Sequence, residues 1–194
     1  MDSSKIGSLI LKLRKEKGLT QKQLAEQMNL SDRTISKWER GQGCPDISLL
    51  QHLSSLLGVN IEHILDGELT TNDFVGGNMK KSTYFVCSSC HNIVLSTGNA
   101  TISCCGRKLE QLEPIKAPEE EKLKVTPVED EWYISSDHPM NKEHYISFIA
   151  FATGDQVQIL KQYPEWALQT RLPKKKHGML LWYCTQHGLF YQLI

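Results

Sequence analysis

Four cysteines crowd into one short stretch: Cys87-Ser88-Ser89-Cys90, then thirteen residues, then Cys104-Cys105. The segment around them, Tyr84 to Leu112, is full of turn residues and too small to fold on apolar burial alone, because so short a chain hides too little surface to offset its conformational entropy. It needs a staple. Two close cysteine pairs can surround a tetrahedral ion, whose binding free energy then becomes folding energy. The spacing predicts a metal knot on Cys87, Cys90, Cys104 and Cys105. Four thiolates accept iron or zinc alike, so the spacing does not choose the metal. His91 adjoins a complete sulfur set and is expected to be exposed.

Reading the sulfurs as ligands supposes a reducing compartment, where free thiols persist and cystines do not. No stretch has the roughly 20 consecutive apolar residues that cross a bilayer, and the start, Met1-Asp2-Ser3-Ser4-Lys5, leads into a run broken by Lys12, Arg14 and Lys15. A cytoplasmic protein without a membrane partner is the expectation. At 194 residues, 40% hydrophobic and 23% charged, the composition excludes a wholly disordered chain and allows more than one domain.

The net charge of zero hides an uneven distribution. From Lys5 to Arg40 nine basic residues face four acids, a balance of +5; from Glu110 to Asp137 nine acids face three lysines, a balance of −6. A basic head suits a polyanion, and the acidic stretch, with Pro114 and Pro118, reads as a solvated connection.

The first 66 residues read as five helices. Ile6, Leu9, Ile10 and Leu13 recur at helical steps until Gly18; Thr20 then caps a second helix with Leu24, Ala25 and Met28. Asn29-Leu30 makes the turn, and Ser31 caps a third helix from about Asp32 to Glu39. Pro45 and Asp46 begin a fourth helix, and Asn60 caps a short fifth ending near Leu65. Short helices on either side of a tight turn form a helix-turn-helix when the second turns polar residues outward. Here that helix offers Ser31, Asp32, Arg33, Thr34, Ser36 and Lys37 while Ile35 and Trp38 face inward. Cys44, just beyond it, reads as an incidental thiol.

From Lys122 the texture changes. Glu131 to Ser135, Tyr145 to Ala152, Gln156 to Tyr163, Trp166 to Leu172, Met179 to Thr185 and Leu189 to Leu193 are β-rich runs between turns, which predicts an antiparallel sandwich. Within it, His138 and His144 flank a short turn and Cys184-x-x-His187 is a chelating loop. Two chelate pairs converging across the sandwich predict a second metal site on His138, His144, Cys184 and His187.

Gly18-Leu19-Thr20-Gln21-x-x-Leu24-Ala25 followed by Leu30-Ser31-x-x-Thr34-Ile35-Ser36-x-Trp38-Glu39-Arg40-Gly41 resembles the phage-repressor-like, Xre-type helix-turn-helix family over residues 5–66. The resemblance implies that Gln21 bonds a phosphate and that Asp32, Arg33, Thr34 and Lys37 face the major groove of a double-stranded operator. Arg33 is then the best candidate for a guanine edge. It also implies an ion pair between Arg14 and Glu39, and the expected regulator is a homodimer.

Tyr84-x-x-Cys87-x-x-Cys90-x-Asn92-Ile93 with Cys104-Cys105-Gly106 resembles the desulforedoxin-type centre. The segments around His138, His144 and Tyr183-Cys184-x-x-His187 resemble the iron domain of desulfoferrodoxin, a superoxide reductase. The family's ferrous ion takes four imidazoles and one thiolate; His138, His144 and His187 match three imidazoles and Cys184 the thiolate. At the place of the fourth the best match is Glu121-Lys122-Leu123, with leucine where the ligand belongs. Glu121 and Lys122 then match the catalytic loop. His177 stands about 23 Å from Cys184 along an extended strand and is a poor substitute.

The expected fold is therefore a multidomain α + β chain. Residues 1–67 form a helix-turn-helix DNA-binding domain, 68–81 a linker around Gly76-Gly77-Asn78, 82–113 a desulforedoxin-like four-cysteine metal domain, and 114–194 an Ig-like β-sandwich metal domain. The expected function is a metal-containing transcriptional regulator holding two iron or zinc ions per chain and reporting oxidant or metal status. A DNA-tethered superoxide reductase and a DNA-binding protein with purely structural metals are the alternatives.

Overall fold

The computed structural model describes residues 2–72, 77–174 and 177–194. Gly76 of the expected linker motif lies outside them. The chain divides into two compact units, Met1–Thr71 and Asn72–Ile194.

The first unit holds α1 (Ser3–Glu16), α2 (Gln21–Gln27), α3 (Asp32–Glu39), α4 (Ile47–Leu57) and α5 (Ile61–Asp66). Their starts follow capping chemistry. Asp2 accepts from the Ser4 and Lys5 amides, Thr20 and Gln23 form a reciprocal capping box, Ser31 accepts from Thr34, and Asp46 accepts from Ser48. Asn60 occupies the cap position of α5 but makes no side-chain cap bond, unlike the expectation. The apolar stripes meet in one core, with Ile10, Leu24, Ile35, Leu53 and Ile64 fully buried. A Cβ added at Gly7 would lie 2.0 Å from the Trp38 carbonyl oxygen, so α1 and α3 touch backbone to backbone there.

The second unit starts with a single 3₁₀ turn, Met79–Lys81. Two small antiparallel hairpins follow: β1 (Thr83–Val86) with β2 (Ile93–Ser96), and β3 (Ser103–Cys104) with β4 (Arg107–Lys108). Then come β5 (Ile115–Lys116), β6 (Lys124–Val128), β7 (Glu131–Ser135), β8 (Ile146–Ala152), β9 (Val157–Lys161), β10 (Gln169–Pro173), β11 (Met179–Cys184) and β12 (Gly188–Leu193). They build a three-stranded sheet, β10-β7-β6, and a five-stranded sheet, β5-β12-β11-β8-β9. Each of the six runs expected as strands contains one, although β9 and β10 are shorter than the runs expected for them.

Two strands more lie in the acidic stretch that reads as a solvated connection. Most charges there face outward, but Ala117, Leu123 and Ile134 are buried in the core between the sheets. Charge counting sees only the outer face. The pairing of β5 with β12 is parallel, so the sheet is mixed where a wholly antiparallel one was expected.

Every residue of β8 is buried, because each of its faces is covered. Ile149 and Phe151 face the core shared with the three-stranded sheet. Phe148, Ala150 and Ala152 face Tyr84 of β1 and its hairpin neighbours. Against β11 the register shifts between Tyr183, opposite Phe148, and Cys184, opposite Ile146. Ser147 is thus an extra residue. This bulge changes the phase of the strand, so Ile146 joins the face of Ile149 and Phe151, beside Leu180, Trp182 and Cys184 of β11. It turns the chain toward the His144 turn at the place where the Cys184 thiol lies wholly buried.

Candidate metal centres and DNA-binding helix

On α3, Ser31, Asp32, Arg33 and Lys37 are exposed, Thr34 and Ser36 half-buried, and Ile35 and Trp38 packed inward. The Ser31 and Thr34 hydroxyls lie 2.9 Å apart, and Asp32 accepts from the Arg33 amide. Arg33 and Lys37, four residues apart, share one side of the helix. Among the described residues neither pairs with a carboxylate.

Glu39 anchors this helix. Its carboxylate accepts from Arg14 Nε and Nη2 and, at 2.7 Å, from Gln21 Nε2, while Arg14 Nη1 donates to the Leu19 carbonyl. Burial pushes the Glu39 pKa up, but the bonds from Arg14 and Gln21 and the charges of Arg14 and Lys15 outweigh it, and the net shift is downward. The expected Arg14 to Glu39 pair is present. Gln21 is its third member, and its side-chain amide has a second N–H to donate.

In the cysteine knot, Cys87 and Cys90 belong to the turn after β1. The His91 amide donates to the Cys87 carbonyl and the Cys87 amide to the Asn92 carbonyl, closing a knuckle. Cys104 ends β3, and Cys105 with Gly106 forms the two-residue tip of the β3–β4 hairpin, at φ 50° and 73°. Two positive φ values define the hairpin turn that matches strand twist, and Gly106 meets that need without strain. Adjacent cysteines can therefore aim at one point, one from a strand end and one from the tip. The ligand atoms of all four lie within 4.8 Å of one another. The Cys90 and Ser89 amides donate to the Cys87 sulfur and hold its pKa down at about 6. His91, expected to be exposed, is half-buried against the Tyr145 ring.

The second cluster is assembled from three turns. The Ser136 hydroxyl accepts from the His138 amide, and Asn141 Oδ1 accepts from the amides of Glu143 and His144, so each histidine sits on a side-chain-capped turn. That signal, Ser or Asn two or three residues ahead of each histidine, was legible in the sequence and went unread. Cys184 and Gly188 pair across the β11–β12 turn, and the amides of Gln186 and His187 both lie 3.4 Å from the Cys184 sulfur. The ligand atoms of His138, His144, Cys184 and His187 lie within 4.8 Å of one another, as expected. Adjacent imidazole centroids are 4.6 Å apart and the rings meet edge on.

The donor chemistry fits a metal ion. His138 Nδ1 lies 2.6 Å from the Pro139 carbonyl, which accepts the Nδ1–H hydrogen bond and leaves Nε2 as a lone-pair donor. Nε2 of both His138 and His144 is buried and has no hydrogen-bond partner among the described residues, a cost that a bound cation would remove. Burial first, and the neighbouring imidazoles further, depress the His138 pKa, which keeps the ring neutral. Burial also raises the Cys184 thiol despite its two amide donors.

A pocket of about 560 Å³ opens beside the imidazoles, lined by Glu121, Lys122 and Leu123 together with His138, His144 and His187. Glu121 Oε1 is 3.1 Å from His187 Nδ1. The Leu123 amide donates to Gln192 Oε1 and its carbonyl accepts from Gln192 Nε2, a clamp the sequence reading missed. His177, exposed in the turn before β11, is not among the converging ligands.

A helix-turn-helix unit and a β-rich unit carrying two cysteine and histidine clusters thus make up the chain. A Helix-turn-helix family model matches residues 10–64. The chain is 48% identical over 56 residues to the HTH-type transcriptional activator BcrR of Enterococcus faecalis, covering 29% of this chain and 28% of that protein. It is 39% identical over 61 residues to the uncharacterized HTH-type transcriptional regulator y4dJ of Sinorhizobium fredii, covering 31% of this chain and 79% of that one. The chain belongs to the helix-turn-helix transcriptional regulators. It spans less than half the length of the first curated relatives it matches. The fold is also similar to the superoxide reductase from Treponema pallidum, with a TM-score of 0.50 and 17% identity, over 58% of this chain and 98% of that structure. At that identity the likeness concerns the β-rich fold. No helix among the described residues is long and apolar enough to cross a membrane.

Proposed function

We propose that this chain is a metal-containing transcriptional regulator. Its amino-terminal domain, residues 1–67, reads a double-stranded operator as a homodimer. A four-cysteine domain (82–113) and an Ig-like sandwich domain (114–194), joined to it by the linker 68–81, hold two ions, iron or zinc, and report oxidant or metal status in the cytoplasm. The observation that carries the reading is the pair of buried, unpartnered Nε2 atoms of His138 and His144 beside Cys184 and His187, in a chain whose α3 presents Arg33 and Lys37 without a carboxylate partner among the described residues. Ser31, Asp32, Thr34 and Ser36 complete the groove-facing surface, and Gln21 positions it on a phosphate. When bound, a thiolate-ligated metal supplies sensitivity to oxidants and to metal supply.

Glu121 and Lys122 lining the imidazole pocket favour a second reading, a DNA-tethered superoxide reductase. Against it stands Leu123 at the fourth imidazole position. The test is metal analysis of anaerobically purified protein, followed by operator affinity with metal loaded, chelated and oxidised. The regulator reading expects two ions and an affinity that changes with loading. Two ions with unchanged affinity would make the metals structural, and rapid superoxide consumption would establish the enzyme.

A further inference from the structure

His91 and Tyr145 meet between the two clusters. The His91 and Tyr145 rings are 5.9 Å apart at 59°. His91 directly follows Cys90, with a left-handed backbone at φ 53° and its amide bound to the Cys87 carbonyl, so the cysteine knuckle fixes the ring's position. Tyr145 directly follows His144 and is buried. Its amide donates to Thr185 Oγ1, and the Thr185 amide donates to the Tyr145 carbonyl. Thr185 in turn follows Cys184. One ring contact therefore joins a residue adjacent to a ligand of the knot to a backbone clamp adjacent to two ligands of the imidazole cluster. A second aromatic series, Tyr84–Phe148–Tyr183, stacks at 6.0 and 5.9 Å and ends next to Cys184.

We propose that the two metal centres are energetically coupled through the His91–Tyr145 contact, so that an ion in the four-cysteine knot raises the metal affinity of the His138, His144, Cys184 and His187 centre, and the reverse. The inference rests on the two-centre reading above. The Cys87 and His91 amide bonds close the knuckle, and a bound cation stiffens it by removing the repulsion among four thiolates whose sulfurs lie within 4.8 Å of one another. With the knuckle stiffened, His91 seats on Tyr145 and limits the motion of the clamp that positions His144 and Cys184. The loaded knot has thereby already met part of the ordering cost of the second centre. The Tyr84–Phe148 packing is part of the permanent core and supplies the rigid frame on which this contact acts. Coupling free energies are reciprocal, so the second centre must favour loading of the knot by the same factor.

The test is a competitive cobalt(II) titration of the full chain against a chelator, because the thiolate absorption bands of a four-sulfur site and a three-imidazole, one-thiolate site differ. In a double-mutant cycle, His91→Ala should weaken the imidazole centre about two- to tenfold while the knot still fills, the range of a single aromatic contact. In a Cys104→Ser background, where the knot cannot close, His91→Ala should add nothing. Cys184→Ala should weaken the knot by the matching factor. Wild-type affinity in His91→Ala, or an equal loss in both backgrounds, would overturn the coupling and leave the two-centre reading intact. A wild-type chain that takes up one ion only would overturn both.

Discussion

The Glu121 carboxylate stands 3.1 Å from Nδ1 of His187, on the wall of the pocket that holds the converging imidazoles. A carboxylate accepting the Nδ1 proton fixes the tautomer and makes the other ring nitrogen a better donor. Glu121→Gln keeps the shape and removes the charge. It should lower the metal affinity of this centre about tenfold, as losses of such partners do, and change loading of the knot by no more than the coupling between the two centres. Chelator competition at each site checks this. Equal affinity would mean that the contact is a surface ion pair.

Leu123 tests sensing against catalysis. The Gln192 clamp fixes its backbone at the pocket edge. Leu123→His offers a fourth imidazole there and should raise retention of iron over zinc and add a thiolate-to-iron absorption band on oxidation. Pulse radiolysis of the native chain beside the variant should show slow superoxide consumption by the native chain. Fast consumption by the native chain would promote the enzyme reading, and an inert variant would show that the loop has lost its catalytic position.

Arg33 and Gln21 should fail differently on DNA. Arg33→Ala should cost about 1–3 kcal/mol and relax preference at one base position, because a guanidinium can bridge guanine O6 and N7. Gln21→Ala should weaken binding to all sequences alike. For a dimer the selected operator should be an approximate inverted repeat with half-sites about 34–36 Å apart. A selection at low salt that enriches no site would count heavily against operator recognition.

Glu39 makes the helical unit sensitive to acid. Its folded pKa lies below the ordinary 4.5, so the unfolded state binds the proton first. The stability from this group is fully present above about 4.5 and is lost as pH falls through the lowered folded value. Glu39→Ala should cost about 3 kcal/mol at neutral pH by stranding buried Arg14, and it should flatten the acid limb. Thermal melts of residues 1–71 between pH 7 and 3 read both effects, and a variant that keeps the wild-type acid limb would move the sensitivity to another carboxylate.

Much of the molecule was legible because its signals are local. Capping residues at Asp46, Thr20 and Ser31, the apolar steps of α1, and the β-rich runs of β7, β8 and β11 act within a few residues, where spacing and chemistry decide the backbone. The two donor sets were legible too, since a Cys-x-x-Cys knuckle or a Cys-x-x-His turn brings its own ligands close. Other features depended on residues far apart in the chain. Nothing near Leu123 announces Gln192, nothing near Glu121 announces His187, and the acidity around Ala117 conceals that this residue is buried.

What the sequence by itself determined, then, is the helical unit, the β-rich strand runs and the two candidate donor sets, all encoded by neighbours a turn or a strand apart. Tertiary structure alone decided the Ser147 bulge that changes the phase of β8, the parallel seat of β5, the Gln21 bond to Glu39 and the packing of His91 on Tyr145. Each of these depends on which surfaces meet after long loops close, and the free energy of that meeting is carried by contacts that no local window contains.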